Sequence, residues 1–142
     1  LKAIKNRHKQ CCHLDCSEHL CAVNFFRRVF KEVFINPTIT NQEGDEWAFA
    51  EGCLSIPDIR EDVFRQEAVS FEYVDENFKK HSKTLNGLAA RVFQHEYDHL
   101  EGILFTDKLS SLKKRILKKK LEKISLGKIN SSYRMRFPNI KI

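Results

Sequence analysis

In QHEYDHLEG, residues 94 to 102, two histidines stand four positions apart around a glutamate. Residues four apart share a helical face, so His95 and His99 would turn both rings toward one point, with Glu96 beside them. A hydrolytic metal centre takes protein ligands that leave one position open for water, and needs a nearby carboxylate to move the proton. His95 and His99 fit two ligands and Glu96 fits the carboxylate. An ordinary helix with two half-buried histidines is the plainer reading. The placing of the glutamate, and the continuation of an apolar stripe by the histidines, count against it. The third ligand has to come from elsewhere in the chain.

Working outward, the stretch ends a longer helical pattern. LAARVFQHEYDHLEG, residues 88 to 102, places Leu88, Val92, His95 and His99 on one stripe that carries the histidines inward. Asn86 and Gly87 introduce it, and Gly102 is its expected C-terminal cap. Just upstream, AVSFEYV (68–74) alternates with Val69, Phe71 and Tyr73 on one face; DEN follows as a turn and KKHSKTL as a polar strand, which makes a hairpin. Earlier still, VFINPTI and AFAEGCLSIP read as two extended segments with NQEGDEW (41–47) as a turn between them. Downstream of ILF, Leu109, Leu112, Ile116, Leu117, Leu121 and Ile124 recur at helical spacing among lysines, the pattern of an amphipathic helix packed by its apolar stripe.

Two places offer a third ligand. Zincin-type peptidases take theirs downstream, where Glu122 follows, but that residue sits in a lysine-dense, solvated helix and makes a poor ligand. Upstream stands Cys53 in EGCLS, where an extended backbone could hold a thiolate facing the histidine helix. A lone cysteine is more often a small buried hydrophobe, so spacing by itself leaves both open.

Bulk properties bound the rest. A chain of 142 residues, 42% hydrophobic and 31% charged, suits one domain with its own core. No apolar run is long enough to span a bilayer and no ordered secretory signal opens the chain, so a soluble protein is expected. Cys11, Cys12, Cys16 and Cys21 crowd together while Cys53 stands alone, and an odd count of 5 argues for reduced thiols in a reducing cytoplasm. The net charge of +6 is local: residues 108–124 hold eight Lys or Arg and one Glu, +7, which leaves −1 for the remainder. Polyanion contact belongs to that helix. Residues 1–32 show no sustained period and stay unassigned, with one catalytic domain expected over 33–142. Within them CCHLDCSEHLC has metal-binding residue types, but not the paired C-x₂-C of a structural zinc site; a loose cysteine-rich segment is expected.

EGCLSIP followed at a distance by QHEYDHLEG resembles the second and third motifs of the peptide deformylases, and the resemblance runs from about Val33 to about Phe137. It implies an α+β fold with mixed or antiparallel strands around a central HExxH helix, plus the basic C-terminal helix. It implies that Cys53, His95 and His99 bind one divalent metal, Fe(II) first, with Zn(II), Ni(II) or Co(II) able to take the same site. Glu96 would be the general acid and base, and Leu54 would offer its backbone N–H to the developing oxyanion. Gly52 would offer its backbone to a substrate added as a strand. Arg60 matches a position near substrate, although a surface arginine explains it equally. Leu88 and Val92 are placed to line a methionine pocket, although core packing explains them almost as well. Arg65 and Asp98 would pair and hold strand to helix.

The implied reaction is hydrolysis of the formyl group from the formyl-methionine of new polypeptides, releasing formate. A monomer in a bacterial cytoplasm, with no membrane contact and a possible ribosome contact through 108–124, completes the expectation. The family's first motif, a GxGxAAxQ stretch whose glutamine is an oxyanion donor, has no counterpart; Gln10, in HKQCCH, lacks its context. Two other functions compete: an HExxH metallopeptidase, and a basic ribosome- or RNA-associated module.

Overall fold

The computed structural model describes residues 20–25, 30–133 and 135, with side chains from Glu32 onward. Its strands are β1 (Leu20–Phe25), β2 (Phe30–Cys53), β3 (Ile56–Val74) and β4 (Lys80–Asn86). Helix α1 (Gly87–Leu100), a 3₁₀ turn (Phe105–Lys108) and helix α2 (Ser111–Ser125) follow. The strands form one antiparallel sheet in chain order β1-β2-β3-β4. With the two helices packed on it, the architecture is α+β.

The expected turn at 41–47 is instead an irregularity inside one strand. Ladder pairs run on either side of it, Glu43 opposite Ala68 and Glu46 opposite Gln66, so β2 continues unbroken to Cys53. Gly44, at φ 86°, helps absorb the one extra residue as a bulge, a conformation that costs glycine little. Pro37, which has no N–H to donate, falls at another register shift, between Ile35 and Thr38. β2 and β3 thus make one long hairpin whose tight turn, Leu54–Ser55, lies between the paired residues Cys53 and Ile56. β1 pairs with β2 only over Phe30–Ile35. Among the described strands, nothing pairs with the outer edge of β2 from Thr38 to Cys53.

The 68–74 alternation is realised as expected: Val69, Phe71 and Tyr73 are buried, and β3 and β4 form the hairpin. β3 in fact serves two apolar clusters. At one end Phe34, Val69, Phe71, Tyr73, Leu85, Ala90 and Phe93 pack together, with Phe71 stacked on Phe93 at 3.8 Å between centroids. At the other, Ile56, Ile59 and Val63 pack with Leu104, Phe105, Leu109, Leu121 and Ile124. Arg65 lies between these two sets along β3.

Helix α1 begins after Asn86 and ends in a Schellman motif: Ile103 N–H donates to Asp98 O at 2.7 Å and Gly102 N–H to His99 O at 3.1 Å, with Gly102 at φ 70°. Its buried face is Ala90, Arg91, Phe93, Gln94 and Asp98. The stripe Leu88, Val92, His95, His99 therefore flanks the buried face rather than forming it: Leu88 is 38% exposed, and the other three are half-buried. Two charged residues take the inward positions because partners on the sheet meet them there.

The C-terminal helix also differs in detail. It starts at Ser111, where the Ser110 side chain accepts from the Lys113 N–H, so Lys108 belongs to the preceding 3₁₀ turn. Leu109, Leu121 and Ile124 are buried as expected, but Leu112 and Ile116 are 66% and 68% exposed. Its buried residues thus lie in the C-terminal half, and its other end is anchored by an ion pair from Lys113 to Glu61 at 2.6 Å. No helix of the described residues is long and apolar enough to cross a membrane.

Candidate metal centre

Strand alternation and helical spacing meet at one point. Along the end of β2, Glu51 and Cys53 turn inward while Gly52 and Leu54 turn out. α1 crosses that face, and Cys53 Sγ lies 3.4 Å from His99 Nε2. The ligand atoms of Cys53, His95 and His99 all fall within 4.8 Å of one another, the single such group of three among the described residues. Donors bound at about 2.0–2.3 Å around a tetrahedral ion sit roughly 3.3–3.8 Å apart, so small rotamer adjustments would close this set on one cation. A thiolate and two imidazoles suit a borderline divalent ion. Glu122, the downstream alternative, is exposed on α2 and takes no part in the group.

Behind the ligands lies a buried charge network. The Glu51 carboxylate accepts from Arg65 Nε at 2.6 Å and Nη2 at 2.9 Å, from Arg91 Nη1 at 2.7 Å, and lies 3.0 Å from His95 Nδ1. Arg65 Nη1 donates to Asp98 at 2.7 Å, as the sequence suggested, and Lys108 reaches the same carboxylate oxygen at 3.2 Å. Arg91 also donates to the Val63 carbonyl at 3.0 Å and stacks 4.1 Å over the Trp47 ring. A carboxylate on Nδ1 fixes the imidazole so that Nε2 faces the ligand group, the usual support for a metal-binding histidine. Gln94 adds a neutral tie, donating to Gln66 O and accepting from Gln42, each at 3.0 Å.

The electrostatics follow from these contacts. Burial alone would raise the Cys53 thiol, but hydrogen bonds to His95 and His99 outweigh it and bring the thiol down to about 6. Burial likewise opposes charging of His95, yet Cys53 and Glu51 raise it to about 9. The thiol is therefore ionised near neutrality, the form a metal takes up. Glu51 is held at about 2, because the hydrogen bonds from His95 and Arg65 override its burial. Its folded value lies below the ordinary 4.5, so its contribution to stability is complete above pH 4.5 and is lost as pH falls toward 2. The shift is worth on the order of 3 kcal/mol. Urea titrations of the chelated protein between pH 7 and pH 2 should show this acid loss, and a Glu51→Gln variant should show a flatter profile below pH 4.5.

The other expected site residues are less closely gathered. Glu96 is half-buried beside His95, near enough for its charge to raise that imidazole. Leu54 is 59% exposed at the hairpin turn, and its carbonyl accepts from the Tyr133 hydroxyl. Gly52 faces Arg60 across the ladder, and a Cβ built on it would lie 3.2 Å from Arg60 Cγ, so the glycine leaves room for the arginine stem beside Cys53. Val92 packs against the Phe34–Phe93 cluster, while Leu88 lies at the start of α1 with much of its surface open. CCHLDCSEHLC lies outside the residues whose side chains are described. Sequence reasoning passed over Glu51 and Arg91. Period-two alternation put Glu51 on the face of Cys53, and Arg91 stands four before His95; both signals were legible.

A helix-borne histidine pair that meets a thiol from a strand end is a candidate ligand group unlike one whose third ligand follows the helix. A family model described as polypeptide deformylase matches residues 9–115. The peptide deformylase of Christiangramia forsetii is 68% identical over 111 residues, 78% of this chain and 57% of that protein. That of Flavobacterium johnsoniae is 57% identical over 112 residues, 79% of this chain and 57% of that protein. Among solved structures, Arabidopsis thaliana peptide deformylase 1B in complex with an inhibitor superposes with a TM-score of 0.72 at 33% identity, covering 82% of this chain and 65% of that one. A Synechococcus elongatus peptide deformylase in complex with actinonin gives 0.64 at 40% identity, covering 71% and 58%. The chain belongs to the polypeptide deformylase family and has its α+β fold. It spans about 57% of the length of the curated relatives it matches.

Proposed function

We propose that the chain carries the centre of a metal-dependent deformylase, which hydrolyses the N-formyl group from the terminal formyl-methionine of new polypeptides and releases formate. Cys53, His95 and His99 hold one divalent cation, Fe(II) first, with Zn(II), Ni(II) and Co(II) as alternatives. Bound there, the cation supplies Lewis acidity that makes water nucleophilic at neutral pH. Glu96 takes the proton of the attacking water and later delivers it to the leaving amine. The Leu54 N–H donates to the formyl oxygen as charge develops on it.

The outer edge of β2, unpaired among the described strands, lets the Gly52 backbone pair with the substrate as an added strand. Arg60, whose stem lies over Gly52, stands beside that strand. Leu88 and Val92, on the stripe that leads to His95, take the methionine side chain. One observation carries the reading: the Cys53, His95 and His99 ligand atoms meet within 4.8 Å with Glu96 next along the helix.

On this reading residues 33–142 are the catalytic domain, with β1 added at the edge of its sheet. The protein acts as a monomer in a bacterial cytoplasm, and the lysines of 108–124 contact the ribosome near emerging chains. Bacterial relatives support the bacterial setting, and the basic outer face of α2 supports the ribosome contact. The peptidase alternative has no use for Cys53. Cys53→Ala should weaken metal binding by more than about 100-fold, beyond what loss of an outer partner does, and should end formate release. Metal content after desalting checks this; a variant that keeps one ion per chain would return the choice to the peptidase.

A further inference from the structure

We infer that Tyr133 is a positioning residue for the Leu54 peptide, so that the segment after α2 sets the oxyanion donor; this rests on the reading of Leu54 above. The path is built in steps. α2 ends in a second Schellman motif, in which Lys128 N–H donates to Lys123 O at 2.9 Å and Gly127 N–H to Ile124 O at 3.0 Å, with Gly127 at φ 67°. The chain reverses there, and Ile129 packs on the same apolar cluster that Cys53 touches. Ser131 Oγ then accepts from the Tyr133 N–H at 3.2 Å, and the Tyr133 hydroxyl donates to Leu54 O at 2.5 Å.

The bond spans 79 residues of chain and lands on a two-residue turn. Leu54 and Ser55 have few other restraints: the Leu54 side chain is mostly exposed, and Ser55 Oγ, though buried, has no partner among the described residues. Fixing the Leu54 carbonyl fixes the torsion that follows its Cα, while the plane before it, which carries the Leu54 N–H, is held on its other side by the ladder pair of Cys53 with Ile56. Just past the turn, at the start of β3, Lys120 on α2 donates to the Asp58 carbonyl. Asp58 itself is in the left-handed region at φ 57°. Oxyanion donors act only when held in place before charge develops, so a turn held from outside the sheet serves that need. Tyr133 lies beyond residues 9–115, which the family model matches.

Tyr133→Phe removes the hydroxyl and keeps the ring. In the metal-loaded chain, kcat for a formyl-methionyl peptide should fall by about tenfold, a fraction of the 10²–10³ seen on losing such a donor outright. KM, metal content and the unfolding midpoint should not change. In the zinc-loaded chain, the ¹⁵N–¹H signals of Leu54 and Ser55 should move and their amides exchange faster with solvent. An unchanged kcat, or a fall explained by lost metal or lost stability, overturns the inference. If the parent chain shows no turnover at all, the proposed function fails instead, and the amide signals decide alone: no change at Leu54 and Ser55 overturns the brace.

Discussion

Replacing Glu96 by Gln should lower turnover of a formyl-methionyl peptide by about 10²- to 10⁴-fold, with one metal ion per chain still bound. The amide has nearly the same shape but cannot accept and return a proton. Cys53, His95 and His99 form the ligand group without Glu96, so metal content should be untouched. The two readouts separate the roles. A variant that loses metal along with turnover would make Glu96 a ligand, and one that keeps turnover would place the proton transfer elsewhere.

Arg65→Met should destabilise the fold by about 3–5 kcal/mol, the penalty of leaving a buried charge without its partner. Arg65 is 3% exposed and binds two carboxylates, Glu51 and Asp98, that are themselves buried. Arg91 and Lys108 remain beside those carboxylates, but neither fills the fork between strand and helix. Because Glu51 also holds His95, metal affinity should fall by about 10- to 100-fold, as for other outer partners of a ligand. Glu51→Gln and Arg65→Met should be strongly non-additive when combined, since the second change removes a group the first has already stranded. Chemical denaturation measures all three variants; a loss below about 1 kcal/mol in Arg65→Met would mean that water reaches the network.

The site was more legible than its setting. Cys53, far upstream, is a candidate only through the family resemblance; His95, His99 and Glu96 stand out as candidates because metal chemistry restricts residue type and spacing locally in sequence. The hairpin of β3 and β4 was legible for the same reason, since Val69, Phe71 and Tyr73 keep a strict period of two. The continuity of β2 was not. Gly44 within NQEGDEW has the composition of a turn, and only the β3 ladder on both sides makes it a bulge. The rotation of α1 was hidden as well. Leu88, Val92, His95 and His99 read as the inward stripe, yet they flank the buried face, because Glu51 and Arg65 on the sheet meet Arg91 and Asp98 and turn that side of the helix inward. On α2, Leu112 and Ile116 are exposed because only the C-terminal half of the helix packs on the core, and periodicity does not report how far along a helix the packing runs.

On the proposed reading, one thiolate, two imidazoles and Glu96 make this chain a deformylase centre. The most direct test is formate release from a formyl-methionyl peptide by the chain, iron-loaded and assayed without oxygen, with metal counted in the same sample. The prediction is formate released over many turnovers, in step with free peptide amine, by protein holding one ion per chain. One ion per chain with no formate above the metal-only blank would contradict it.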